Sequence, residues 1–212
     1  MYKLNLAIKT APTTEPLELA TVKEHLRIDA SNTTEDNFLL NLIKAARQFC
    51  ETKQGRAYCL TTYTGTLDAV PFNQYFRGTN QDNIFIPIQP IKRINSIKIM
   101  QTDGTTATPV TIPPAQYDAD LARGLIKLNK RFKSTIFWES KLPAFSCFAV
   151  DFTAGYDTAN GTTPEPVPAK ILQAILLIIG HWYEHREDAT DGFEVRTIPT
   201  AADALLQQEK VY

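Results

Sequence analysis

The sequence predicts an α+β fold: a helical bundle formed by N- and C-terminal helices, with a β-rich insert between them. Three observations carry this prediction. Residues 167–187, VPAKILQAILLIIGHWYEHRE, place Ile171, Ile175, Ile178 and Trp182 in one helical row and Leu172, Leu176, Ile179 and Tyr183 in a second beside it. A stripe that wide must be covered by more than one neighbour. The middle of the chain changes to a period of two, and helical spacing occurs only towards its two ends. The expected organisation is therefore 1–56 as the N-terminal helical part, 57–156 as the β-rich insert, and 157–212 as the central and C-terminal helices.

Taken in order, residues 1–16 read as an extended segment and a loop ending at Glu15-Pro16. Thr21-Val22-Lys23-Glu24 fits a capping box for a short helix with Leu19, Val22 and Leu26 on its apolar edge. The polar run from Asp29 to Thr34 ends it. Thr33 or Thr34 is the expected cap of a longer helix, with Glu35 and Asp36 placed well against the helix dipole. Phe38, Leu39, Leu42, Ile43, Ala46, Phe49 and Cys50 form its expected buried face, and Gly55 stops it.

Residues 58–64 are rich in β-formers. The run Ile84-Phe85-Ile86-Pro87-Ile88, with Pro90 beyond, suits an edge strand better than a central one. Residues 94–100 alternate, and Asp103-Gly104 signals a hairpin into a strand over 106–112. A second hairpin is expected from 117–120 through Arg123-Gly124 to 125–128. Residues 147–153 form the clearest strand, with Phe148, Val150 and Phe152 on one face and Cys147, Ala149 and Asp151 on the other. Pro168 opens the central helix in its first turn, and Gly180 would let another backbone approach closely. After a charged loop at 188–199, Thr200 caps a last short helix containing Ala204, Leu205 and Leu206.

Of the 212 residues, 43% are hydrophobic and 21% charged, which fits one globular domain or two small ones. Lys plus Arg (22) nearly balance Asp plus Glu (23), so the chain lacks the positive excess of proteins that grip nucleic acid through phosphates. The densest basic cluster, Lys127, Lys130, Arg131 and Lys133, reads as a solvated loop. The three cysteines, Cys50, Cys59 and Cys147, are widely spaced and contain no C-x-x-C pair, so buried free thiols are expected. The N-terminal residues lack an apolar core long enough for a signal peptide, and no stretch is expected to span a membrane. Synthesis in a reducing cytoplasm is the expectation.

The sharpest chemical motif is His181-Trp182-Tyr183-Glu184-His185, which fits the inverted zinc-peptidase signature H-x-x-E-H. Histidines at i and i+4 share a helix face and can bind one zinc, with the glutamate as general base. A third protein ligand would have to come from Asp188, Asp191 or Glu194, which follow no known ligand spacing. The stretch also lies at the polar end of a core helix, where His and Glu are ordinary, so the structural reading is preferred. His25 reads as a surface residue, and Asp151 as a carboxylate on the solvent face of a strand. No phosphate loop or nucleophile elbow occurs. No catalytic residue, metal or cofactor is expected.

Several segments, in order, resemble the head–tail connector (adaptor) proteins of tailed phages. They are Leu19-Ala20-Thr21-Val22-Lys23-Glu24-His25-Leu26-Arg27-Ile28-Asp29, then residues 38–51 with Ala45-Ala46-Arg47 and Glu51, then Gly55-Arg56. Ile86-Pro87-Ile88-Gln89-Pro90-Ile91 is similar to the family's proline-punctuated strand. Phe152-Thr153-Ala154-Gly155-Tyr156, Val167-Pro168 and residues 174–186 resemble its most distinctive segment. The likeness runs from about residue 17 to about residue 206. Where this chain has His185 the family tends to have another residue, which weakens the zinc reading. The regions 72–83 and 129–145 are individual to this chain.

The resemblance implies a non-enzymatic virion neck protein that forms a homo-oligomeric ring, a dodecamer when assembled. Such a ring lies between the portal protein and a stopper or tail-completion protein, and DNA passes through its lumen without specific binding. It also implies that the C-terminal segment takes part in portal docking, which makes Leu205, Leu206, Val211 and Tyr212 the portal-contact candidates. Aromatic residues in the long polar loops, Tyr75, Phe76, Phe137 and Trp138, are candidates for ring or neck-partner contacts. The rival readings are a zinc-dependent hydrolase using His181, Glu184 and His185, and a prophage-derived interaction module.

Overall fold

A computed structural model describes residues 2–68, 83–102, 106–129, 145–157, 166–186 and 199–208. In these residues the chain is a mixed α+β protein that divides into two compact units. One unit comprises residues 1–12 and 60–155 and holds the strands; the other comprises 13–59 and 156–212 and holds the helices. Each unit is thus built from two separate stretches of chain.

Among the described residues the sheet unit has nine strands. A five-stranded sheet runs in the order β2 (Asn5–Thr10), β3 (Thr61–Leu67), β9 (Phe148–Ala154), β5 (Ile91–Thr102) and β6 (Ala107–Thr111), all antiparallel. A four-stranded sheet has the order β1 (Tyr2–Lys3), β4 (Asn83–Phe85), β8 (Leu125–Leu128) and β7 (Tyr117–Asp120). Both expected hairpins form: β5 pairs with β6 from Thr102↔Ala107, and β7 pairs with β8. Phe148, Val150 and Phe152 are fully buried, as their alternation predicts, and Ile97 and Ile99 join them in the core.

Three expectations for the strand-rich region fail for identifiable reasons. The strand near the prolines is internal, between β1 and β8, because it ends at Phe85, before Pro87 and Pro90 could remove a ladder donor. The edge beside it is the two-residue β1. The run from Tyr58 becomes a strand only at Thr61; Tyr58 and Cys59 are buried in the helical unit. Asp151 does not face solvent but is 7% exposed within a polar cluster.

The helical unit contains α1 (Leu19–His25), α2 (Asp36–Gln54), α3 (Ala169–Glu184) and α4 (Thr200–Gln207). Its core joins Val22 of α1, Leu39, Ile43, Ala46 and Cys50 of α2, Ile171, Ile175 and Ile178 of α3, and Ala202 and Leu206 of α4. Phe38, Leu42 and Phe49 are only partly buried. The capping box at Thr21 does not form, since α1 already begins at Leu19 after Glu18. Glu35, rather than Thr33 or Thr34, precedes α2, and no side chain caps it. Gly55 does end α2, at φ 68° in the left-handed region, with its N–H donating to Glu51 O at 2.9 Å. Pro168 stands one residue ahead of α3 and Pro199 one ahead of α4.

Candidate interaction surfaces

The residues singled out from the sequence are placed unevenly. Tyr75, Phe76, Phe137, Trp138, Val211 and Tyr212 lie outside the described residues. Leu206 is 1% exposed and sits in the helical core, so in this conformation its side chain is not offered to a partner. Leu205 is partly buried against the same core. What holds α4 in place is therefore its own packing, together with a hydrogen bond from Gln54 Nε2 to Leu206 O (2.7 Å) and an ion pair between Lys53 and Asp203.

His181 and Glu184 lie in the last turn of α3 and His185 follows it. The rings of His181 and His185 stand 4.8 Å apart. Among the described residues no three His, Cys, Asp or Glu side chains come together in a way that could hold a metal ion. Asp188, Asp191 and Glu194 fall outside the described residues. The two histidines are brought together by their i,i+4 spacing at the end of α3. His25 is exposed, as expected, and lies over Gly180.

The same end of α3 carries a cluster that sequence reading missed. Glu35 accepts hydrogen bonds from the Tyr183 hydroxyl (2.5 Å) and from Arg186 (2.6 Å). The Arg186 guanidinium covers the rings of Phe38 and Tyr183 at 4.7 and 4.9 Å. The bond from Tyr183, then that from Arg186, holds the Glu35 carboxyl below its ordinary range. Trp182 meets Phe49 edge to face at 5.7 Å. Tyr183, Trp182 and Arg186 are thus engaged with Glu35, Phe38 and Phe49 of the same unit.

Two polar networks lie deeper. Arg47, 4% exposed, donates to Glu15 (2.6 Å) and to Glu51 (2.6 Å), and Glu51 also accepts the Tyr58 N–H (2.7 Å). Tyr58 in turn donates to Gln54 Oε1 at 2.5 Å. Burial pushes the Glu51 carboxyl up despite these partners, and burial raises the Tyr58 phenol and the thiols of Cys50 and Cys59, the thiols to about 12. All three cysteines are free and buried. The i,i+4 spacing of Arg47 and Glu51 was legible in the sequence; Glu15, more than thirty residues upstream, carried no signal.

In the sheet unit, Asp151 accepts from Lys9 (2.7 Å), Thr64 (2.6 Å) and Ser96 (3.3 Å), and Lys98 lies 3.5 Å away. Burial raises its carboxyl, but the bonds from Lys9 and Thr64 and the two lysine charges outweigh that and bring it down to about 2. These are groups that hold sheets together. No described helix is long and apolar enough to cross a membrane.

No family model matches the chain and no curated protein matches it. Among solved structures, it is similar to a chain from the neck of an empty gene transfer agent particle computed with C6 symmetry. That likeness has a TM-score of 0.67 and 23% identity, over 98% of this chain and 96% of the other. A chain of a native gene transfer agent virion matches with a TM-score of 0.66 and 23% identity, over 98% and 95%. A chain from the neck of the native particle computed with C12 symmetry matches with a TM-score of 0.61 and 22% identity, over 99% and 95%. At this level of identity the shared property is the fold, and it is shared from end to end.

Proposed function

We propose that this protein is a non-enzymatic structural component of the neck of a tailed phage or phage-like particle. In this reading it is an adaptor that forms a homo-oligomeric ring, a dodecamer when assembled, between the portal and a stopper or tail-completion protein. DNA passes through the lumen without specific binding, and the protein is made in the host cytoplasm. The observation that carries this reading is the end-to-end likeness to chains of gene transfer agent particles, two of them from necks, covering both units rather than one. The near balance of charge supports a lumen that does not trap DNA. The symmetric assemblies in which the neighbours sit support a ring.

Within this reading the portal contact is made by the exposed side of α4 around Leu205, continued by Val211 and Tyr212. Leu206 anchors that helix from beneath. Tyr75, Phe76, Phe137 and Trp138 serve ring or neck-partner contacts. The test is to mix the purified protein with the portal ring encoded beside it and follow the mixture by light-scattering chromatography and negative-stain microscopy. The expected result is a discrete added tier of density beneath the portal. An intact portal that gains nothing overturns the adaptor role.

A further inference from the structure

The H-x-x-E-H stretch has no part in the neck role. The chain has three histidines, and all three stand at the end of the helical unit where α3 finishes. His181 lies in the last turn of α3 and His185 directly follows it, its N–H donating to the His181 carbonyl at 3.0 Å. That hydrogen bond holds the backbone between them, so both side chains leave the same face. Their rings stand 4.8 Å apart, inclined by 59°. His181 is half-buried and His185 exposed. His25 packs over Gly180, one residue before His181.

Two bonds of about 2.1 Å to one ion set a pair of imidazole nitrogens about 3.4 Å apart, a span that rings at this separation can meet. The surroundings favour a cation. The C-terminal end of a helix carries partial negative charge. Glu184, exposed between the two histidines, adds a carboxylate that has no ion pair among the described residues. Arg186, the neighbouring positive charge, is drawn aside: it donates to Glu35 at 2.6 Å and lies over the rings of Phe38 and Tyr183. We propose that His181 and His185 form a two-point chelate for a divalent transition-metal ion of the imidazole-seeking class, copper(II) being held most tightly. Among the described residues no group of three such ligands forms, so water fills the remaining positions. The bound ion ties down the last turn of α3. Magnesium, which takes oxygen ligands, is not held. The site stands whether or not the protein forms a ring.

The test uses the full-length chain, purified without a histidine tag and carrying Trp138→Phe, so that Trp182 is its single tryptophan. Copper(II) quenches an indole beside it, and Trp182 adjoins His181. The native thiols are buried and do not compete. Copper(II) titrated at pH 7.5 should quench the fluorescence saturably at one equivalent, and a chelator should restore it. Binding should be at least tenfold weaker in His181→Asn and in His185→Asn, and unaltered in His25→Asn. It should also weaken at least tenfold at pH 5.5, because protons compete for the imidazoles. A hundredfold excess of magnesium should leave the titration unchanged. Melting temperatures equal to the parent's, measured with chelator present, show that a variant has lost a ligand and not its fold. A parent chain without saturable quenching overturns the proposal. So does a folded His185→Asn that titrates like the parent, or an equal loss in His25→Asn.

Discussion

Asp151 and Glu51 are both nearly enclosed acids, yet they act on stability in opposite directions. Asp151 titrates near 2 when folded against 3.8 when unfolded. Its contribution is therefore complete above about pH 4 and is lost as pH falls from 4 towards 2. It is worth at most about 2 kcal/mol, since Lys9 is half solvated. Asp151→Asn should lower the urea midpoint at pH 7 and should flatten the acid limb between pH 4 and 2. A variant whose midpoint falls as steeply as the parent's over that range would contradict this. Glu51 has its carboxyl raised by burial, so the stability at this group is present below its unfolded value and is lost as pH rises from there through its folded one. Arg47 offsets that loss. Arg47→Met should destabilise the helical unit by about 3–5 kcal/mol, because it leaves Glu51 charged, enclosed and unpaired. Chemical denaturation followed by the Trp182 fluorescence measures it.

At the scale of elements, two glycines make opposite predictions. Gly124 turns β7 into β8 at φ 66°, and a Cβ there would lie 2.5 Å from Gln89 Nε2 and 2.8 Å from Ile86 O. Gly124→Ala should cost about 1–3 kcal/mol through strain and collision, visible as a lowered melting temperature. Gly180 sits in α3 at an ordinary φ, and a Cβ there would meet the His25 ring no closer than 3.4 Å. The nearest neighbours here are side chains of His25 and Leu26 at ordinary van der Waals distance, not a closely approaching backbone. Gly180→Ala should raise the melting temperature, by up to about 1 kcal/mol of helix propensity. The last helix gives a third prediction. Deleting residues 200–212 removes Ala202 and Leu206 from the core and strands Gln54, so it should destabilise the unit by several kcal/mol. Deleting only 209–212 should leave melting unchanged but weaken portal binding at least tenfold. Unchanged binding in that shorter truncation would remove Val211 and Tyr212 from the portal contact.

At the scale of the molecule, the chain crosses between its two units three times, at about residues 12, 59 and 155. The first stretch, residues 2–10, is committed to both sheets, so the sheet unit requires the N-terminus as well as the middle of the chain. A fragment spanning residues 57–156 lacks β1 and β2. It should expose the edge of β3, leave Asp151 without Lys9, and aggregate on expression, whereas the full chain stays dispersed. Light scattering of the two at equal concentration decides the matter.

What the sequence determined by itself was whatever is encoded within a few residues. The α+β class, the central helix, the long helix with its Gly55 stop, both hairpins and the buried face of Phe148, Val150 and Phe152 follow from periodicity and turn chemistry. The resemblance to tailed-phage adaptors was legible in ordered short segments and agrees with the fold of the particle chains. Only the tertiary structure decided the rest. It placed the proline-flanked strand inside a sheet, drew Glu15 to Arg47 and Lys9 to Asp151, and buried Leu206. Those outcomes depend on which distant segments share a core or a ladder, and burial can reverse what a residue's own chemistry suggests. An aspartate in a strand reads as solvent-facing until two lysines, a threonine and a serine are folded around it.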